Sequence, residues 1–307
     1  EPTPFSNNSA DTWFRDIMFD CVLCPRACHV NRLAGQTGYC GQTAELMAAR
    51  ASLHYWEEPC ISGTSGSGTV FFSGCNLRCV FCQNHNIALG KAGRVIAPEH
   101  LAEIFLQLQE QGANNINLVT PTHFLPQIVI ALEQAKQQGL HLPIVYNTGS
   151  YESPEALRHL EGLVDIYLPD LKYFSPELST AYSHAPDYFE TACAAISEMY
   201  RQVGDSVIDE DTGLMQHGMI VRHLLLPGQT KDSKKILRYL HETYGDHIYI
   251  SIMNQYTPLP QVADIEVLNR TVTPEEYDRV LRFAERIGIE RGFRQEGTAA
   301  SESFIPE

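Results

Sequence analysis

The 307 residues are 44% hydrophobic and 19% charged, with a formal charge of −15 and a pI near 5.2. That length suits one large α/β domain or two ordinary ones. The acidic balance excludes a sequence-independent grip on nucleic acid, which needs a basic face, and no apolar run approaches the ~20 residues of a membrane span. The start shows no signal-peptide pattern, so the expected setting is the cytoplasm, with neither nucleic acid nor membrane as a partner. Nine cysteines are present, eight of them within the first 82 residues. A secreted disulfide framework would be smaller and more evenly stitched, whereas clustered thiols in such a chain read as reduced metal ligands.

Residues 1–20 are polar and mixed, anchored by Trp13 and Phe14, and read as a loosely held arm or a short helix. Next comes Cys21-Val-Leu-Cys24-Pro-Arg-Ala-Cys28, joined after eleven residues by Cys40, with Gly35, Gly38 and Gly41 supplying turns. Four thiols could close a complete site, either zinc or an iron–sulfur cluster, with His29 able to replace one ligand. Buried or redox-active thiols are the plainer alternative. Cys60 has no partner at ligand spacing. The glycine–serine stretch at 61–68 lacks the Lys-Ser/Thr of a phosphate-binding loop.

The short apolar run Val70–Ser73 reads as a buried strand that stops at Gly74 and releases Cys75, Cys79 and Cys82. Three thiolates on one tight loop could hold three irons of a cubane cluster and leave the fourth open. A structural zinc site or an electron-transfer cluster calls for a fourth cysteine nearby, and residues 83–192 contain none. Buried thiols, or a zinc site completed from afar, are the alternatives.

Further strands are expected at 115–120, 142–147, 164–169, 219–226 and 247–252, with helices at 98–111, 124–138, 154–160, 188–203, 233–244 and 274–287. Residues 205–217 interrupt the alternation with a polar insertion, read as a small hairpin around Asp211-Thr-Gly213. The tail carries Phe293 and Phe304 and is expected to pack back on the domain. Six strand–helix units predict a parallel sheet with right-handed crossovers, which fits a partial barrel and a doubly wound sheet equally. In parallel barrels the chemistry collects at the C-terminal strand ends. Here those ends read Val119-Thr-Pro-Thr-His123, Tyr146-Asn-Thr-Gly-Ser150, Tyr167-Leu-Pro-Asp-Leu-Lys172, Val221-Arg-His223 and Met253-Asn-Gln-Tyr256.

The strand, glycine, three-then-two cysteine spacing and Phe81 together resemble the signature of the radical S-adenosylmethionine (SAM) superfamily. Leu23-Cys-Pro-Arg26, Leu118-Val-Thr-Pro-Thr-His123, Asp165-Ile-Tyr-Leu-Pro-Asp-Leu-Lys172 and Ser251-Ile-Met-Asn-Gln-Tyr256 look further like its PflX-type branch, related to the pyruvate formate-lyase activating enzyme. The resemblance spans residues 21 to about 300 and decides for a partial (β/α)6 TIM-like barrel over 69–307, with an arm and cysteine-rich extension over 1–68. It implies a [4Fe–4S] cluster on Cys75, Cys79 and Cys82, with SAM on the open iron and Phe81 near its adenine. Lys172 and Arg222 match SAM-contacting basic residues. Thr148 and Asp170 match positions that help bind a monovalent cation, with Asn147 where the activases carry aspartate. Thr120-Pro-Thr122 replaces the Gly-Gly pair that receives the SAM amino group, so Thr120 or Thr122 is expected to hold it. Cys21, Cys24, Cys28 and Cys40 lie upstream, where the activases carry no extra cluster; a second [4Fe–4S] cluster or zinc is expected there.

The implied chemistry is reductive cleavage of SAM to a 5′-deoxyadenosyl radical that abstracts hydrogen. It is fed by a flavodoxin- or ferredoxin-type donor and acts on a protein or peptide as a glycyl-radical activase does. A small-molecule substrate, or a non-catalytic iron–sulfur or zinc protein, are the competing readings.

Overall fold

A computed structural model of the chain describes residues 9–295. Its strands are β1 (Met47–His54), β2 (Ser67–Phe72), β3 (Arg94–Val95), β4 (Ile116–Val119), β5 (Ile144–Thr148), β6 (Ile166–Pro169), β7 (Val207–Ile208), β8 (Met215–Leu224), β9 (Tyr249–Met253) and β10 (Gly292–Gln295). Its helices are α1 (Ser9–Phe19), α2 (Pro59–Ser62), α3 (His85–Ala88), α4 (Pro98–Glu110), α5 (Leu125–Gln137), α6 (Pro154–Leu157), α7 (Pro176–Ser183), α8 (Tyr188–Val203), α9 (Thr230–Tyr244) and α10 (Pro274–Ile287). Among the described residues no helix is long and apolar enough to cross a membrane.

The sheet runs β10-β9-β8-β6-β5-β4-β2-β1-β3, with β7 hairpinned onto β8. Every neighbouring pair from β2 to β10 is parallel, whereas β1 runs antiparallel to both β2 and β3. The end strands do not pair with each other, so the sheet is mixed and open. This is the α/β class expected, in a form that agrees with a partial barrel.

Strands β2, β5 and β6 are buried along their whole length, as parallel strands are when both faces are covered. Helix α4 covers one face through Leu101, Ala102, Phe105 and Leu108, with Pro98 in its first turn. The hairpin expected in the polar insertion is β7 with the start of β8, which is why β8 begins earlier than its apolar run. Strand β1 and helix α7 are the longest elements that had no sequence expectation. Strand β1 is alanine-rich and half-buried, and tertiary pairing rather than propensity makes it a strand. Helix α7 is started by Ser175, whose hydroxyl accepts the Leu178 N–H. Phe293 does pack back, stacking on Tyr249 with ring centroids 5.3 Å apart; Phe304 lies outside the described residues.

The C-terminal ends of β2, β4, β5, β6, β8 and β9 share one rim of the parallel sheet. That rim carries the polar strand ends.

Candidate active site at the strand ends

Beyond β2 the chain must turn sharply, and Gly74 takes φ +88 to do so. A Cβ there would sit 2.6 Å from Gln42 Cγ and 2.8 Å from the Cys40 carbonyl oxygen, so no other residue fits. The loop after Gly74 brings Cys75, Cys79 and Cys82 to one wall of a cavity of about 290 Å³. Ser183 Oγ donates to Cys79 Sγ at 3.0 Å, and the Leu77 N–H donates to Cys75 Sγ at 3.3 Å. Burial pushes the Cys75 thiol up and the Cys82 thiol to about 12. Phe81, almost fully buried, packs edge-on to Tyr173, Tyr182 and Tyr256, and its ring forms part of the same cavity.

The facing wall is electrostatic. Arg222 sends Nε to Asp170 Oδ1 (2.9 Å), Nη1 to Glu57 Oε2 (3.1 Å) and Nη2 to Asn147 Oδ1 (2.6 Å). Lys172 Nζ donates to Asp170 Oδ2 at 2.6 Å. Burial alone would raise Asp170, but Arg222 and Lys172 outweigh it and hold the carboxyl below its ordinary value. Both bases are themselves pushed up, because Asp170 overcomes the burial penalty on each. Glu57 and its neighbour Glu58 move the other way: burial raises both carboxyls against the pull of Arg222.

Behind this wall Glu152 is fully buried, and burial pushes its carboxyl up to about 7. Its Oε1 accepts hydroxyls from Thr122 (2.6 Å), Thr148 (2.5 Å) and Tyr146 (3.3 Å). Thr122 and Thr148 also form part of the cavity surface. Thr120, where the activases carry glycine, keeps the positive φ of a glycine (+55°).

Thus Phe81, Asn147, Thr148, Asp170, Lys172, Arg222 and the three cysteines of the loop all border one cavity. Cys21, Cys24, Cys28 and Cys40 border a second, smaller one, closed by Arg32 and His123. Cys60 is buried in a separate apolar cluster with Ile61 and Met215. His223 is a packed core residue between the Leu171 carbonyl and Ser233. Sequence reasoning assigned no role to Glu57, Glu58 and Glu152. Their acidic pair and lone acid look like surface residues until the fold buries them.

The donors suit a cluster. Three soft donors bordering a cavity, with no fourth beside them, match a polynuclear iron–sulfur group with an open corner.

Over 286 residues the chain is 27% identical to the uncharacterized protein MJ0674 of Methanocaldococcus jannaschii, covering 90% of this chain and 77% of that one. It is 29% identical over 121 residues to the pyruvate formate-lyase-activating enzyme of Clostridium pasteurianum, covering 37% of this chain and 48% of the relative. Among solved structures, a domain of the pyruvate-formate lyase-activating enzyme of Bacteroides vulgatus ATCC 8482 superposes with TM-score 0.44 at 14% identity, covering 60% of this chain and 100% of that one. A radical SAM methyltransferase of Sphaerobacter thermophilus gives TM-score 0.48 at 15% identity, with coverages of 82% and 77%. The sequence model of the radical SAM superfamily matches residues 69–240, more than half of the chain. The chain therefore belongs to the radical SAM superfamily, and a [4Fe–4S] cluster and SAM are the cofactors that membership implies.

Proposed function

We propose that this chain is an activating-enzyme-like member of the PflX-type branch, generating a radical from SAM for hydrogen abstraction from a protein or peptide. The observation that carries this reading is the meeting of Cys75, Cys79 and Cys82 with Lys172, Arg222 and Asp170 on one cavity. When bound, the cluster supplies the electron that cleaves SAM to methionine and a 5′-deoxyadenosyl radical. The three cysteines hold that cluster and leave one iron for SAM. Lys172 and Arg222 face its carboxylate, and Phe81 offers an apolar edge to its adenine.

Asp170 is already paired with two side-chain cations, and Asn147 Oδ1 accepts from Arg222. We therefore assign Asp170 and Asn147 to holding Arg222. Thr148 donates its hydroxyl to Glu152, as Thr122 does, and Thr122 or Thr120 receives the SAM ammonium.

A macromolecular substrate is supported by the partial relationship to the Clostridium activating enzyme and by the rim of the cavity. Trp56 borders the cavity and is half-exposed, with half-exposed Tyr55 beside it. Aromatic rims of this kind favour docking of a chain. The reductant in this reading is a flavodoxin- or ferredoxin-type protein, and cysteines clustered as metal ligands support a cytoplasmic setting.

The test is anaerobic. Reconstituted protein mixed with SAM and dithionite should yield 5′-deoxyadenosine, and Cys79→Ala should yield none. No product from the unsubstituted protein would return it to the non-catalytic class. Radical transfer to a co-incubated glycyl-radical enzyme, seen by electron paramagnetic resonance (EPR), separates the protein substrate from a small molecule.

A further inference from the structure

Outside the cavity at the strand ends, two buried thiols, two half-buried ones and a permanent positive charge stand together. Cys21, Cys24, Cys28 and Cys40 surround one small space with Arg32 on its wall. Arg32 is 1% exposed. Its Nε and Nη2 donate to the Thr43 carbonyl at 3.2 and 2.7 Å, and its Nη1 lies 4.0 Å from Cys21 Sγ. Among the described residues no carboxylate pairs with it. A guanidinium does not shed its proton, and burying it without counter-charge costs several kcal/mol. Something in this space must be negative. A metal deprotonates its thiol ligands outright, so four metal-bound thiolates supply that charge.

The backbone is shaped for the same purpose. Tyr39 N–H donates to Cys28 Sγ at 3.3 Å. At Gly38 a Cβ would fall 2.6 Å from Cys28 Sγ, so only glycine lets this turn approach the sulfur. Four thiols around one space are a soft donor set of the kind that holds an iron–sulfur cluster.

This space abuts the loop of Cys75. The Cys40 carbonyl lies against Gly74, at the start of that loop. Arg26 Nε donates to the Asn76 carbonyl at 2.8 Å, and Tyr39 Oη donates to the Leu77 carbonyl at 3.3 Å. His123, on the wall of the four-thiol space, places Nε2 2.6 Å from the Ser73 carbonyl. From Cys40 the path to the loop runs through its neighbour Tyr39 and one hydrogen bond.

We propose that Cys21, Cys24, Cys28 and Cys40 hold a second [4Fe–4S] cluster with Arg32 as its buried counter-charge, and that it relays single electrons to the cluster on Cys75, Cys79 and Cys82. Four thiolates occupy all four irons, so this cluster offers no corner to a substrate and suits electron transfer. Each electron comes from a low-potential one-electron protein donor, which is oxidised. The second cluster is reduced and then reoxidised by that electron, and no bond or proton changes there. The cluster assignment stands independently of the proposed function; the relay rests on it.

The full chain, a Cys75→Ala/Cys79→Ala/Cys82→Ala variant and a Cys21→Ala/Cys40→Ala variant are reconstituted without oxygen and counted for iron and zinc. The full chain should carry about eight irons and each variant about four. The reduced-state EPR signal of the triple variant should not respond to SAM. A triple variant without iron, or one zinc per chain, overturns the cluster, and this holds even where the double variant fails to fold. After mixing with reduced flavodoxin, the SAM-responsive signal should appear roughly tenfold more slowly in the double variant, as a higher barrier requires. Equal rates in a folded double variant overturn the relay. Four irons on the triple variant with no 5′-deoxyadenosine from the full chain would uphold the cluster and sink the radical reading.

Discussion

Arg222 is 12% exposed and carries its charge at any attainable pH, while Asp170 and Glu57 lean on it from two sides. Replacing it with glutamine leaves Lys172 to pair with Asp170 and strips the buried Glu57 of the cation that faces it. Breaking a buried pair this way should cost about 3–5 kcal/mol in urea unfolding. A loss under about 1 kcal/mol would mean that the pair is solvated as surface pairs are. Thr120 gives a second expectation. A β-branched residue at φ +55 is strained, so Thr120→Gly should gain up to about 1 kcal/mol in stability while weakening SAM binding in equilibrium dialysis. A destabilised variant would show that the hydroxyl, not the strain, dominates there. The cysteines of this site were legible in the sequence because their spacing is local. Glu57 was not: its partners Asn147 and Arg222 lie 90 and 165 residues away. No window of sequence contains the reason for its burial.

Elements with both a start signal and an apolar stripe were legible to within a few residues. Helix α10 shows why. Pro274 sits in its first turn, Gly288 closes it in the left-handed conformation, and Thr273 and Glu276 form a capping box. Glu276 does more than cap. Its carboxylate also accepts both Nη groups of Arg270 at 2.8 Å and the Gly228 N–H at 2.8 Å, tying the helix to the turn after β8. The Arg270 hydrogen bonds, against a smaller opposing effect of burial, hold this carboxyl down at about 2 from an ordinary 4.5. A depressed carboxyl stabilises the fold above its unfolded value, and that stability drains as pH falls toward its folded value. The full shift corresponds to roughly 3 kcal/mol, and solvent around the half-exposed Arg270 reduces this to about 1–2. Glu276→Gln should therefore cost about 1–2 kcal/mol at pH 7 and almost nothing near pH 2 by urea unfolding. A penalty that does not change with pH would place the effect in shape rather than charge. Strand β1 is alanine-rich, and helix α7 has its start signal in Ser175-Pro176 but is too polar to show an apolar stripe, so only their neighbours decide them.

At the scale of the molecule, the chain before Thr69 is woven into the sheet and the cavity wall. Strand β1 pairs with β2 from Ala48 opposite Phe72 to His54 opposite Ser67. Met18, Leu23 and Leu46 share one core with Phe72, Leu118 and Phe124. Glu57 completes the shell of Arg222, and the Cys40 carbonyl sits against Gly74. A chain beginning at Thr69, where the superfamily match begins, would strip β2 of its antiparallel partner β1 and leave only β4 beside it. It would also open the fully buried Val70 and Phe72 to water and leave a flat apolar edge ready to pair with other copies. It would have no wall behind the cysteine loop, because Gln42, Tyr39 and Arg26 supply that wall. Such a chain should show no cooperative thermal transition by circular dichroism and should sediment as aggregate, even when reconstituted with iron and sulfide. If it instead melts cooperatively and binds about four irons, the cysteine-rich segment is an accessory that docks on a self-sufficient barrel. The contacts of Met18, Leu23 and Glu57 argue that barrel and extension fold as one cooperative body.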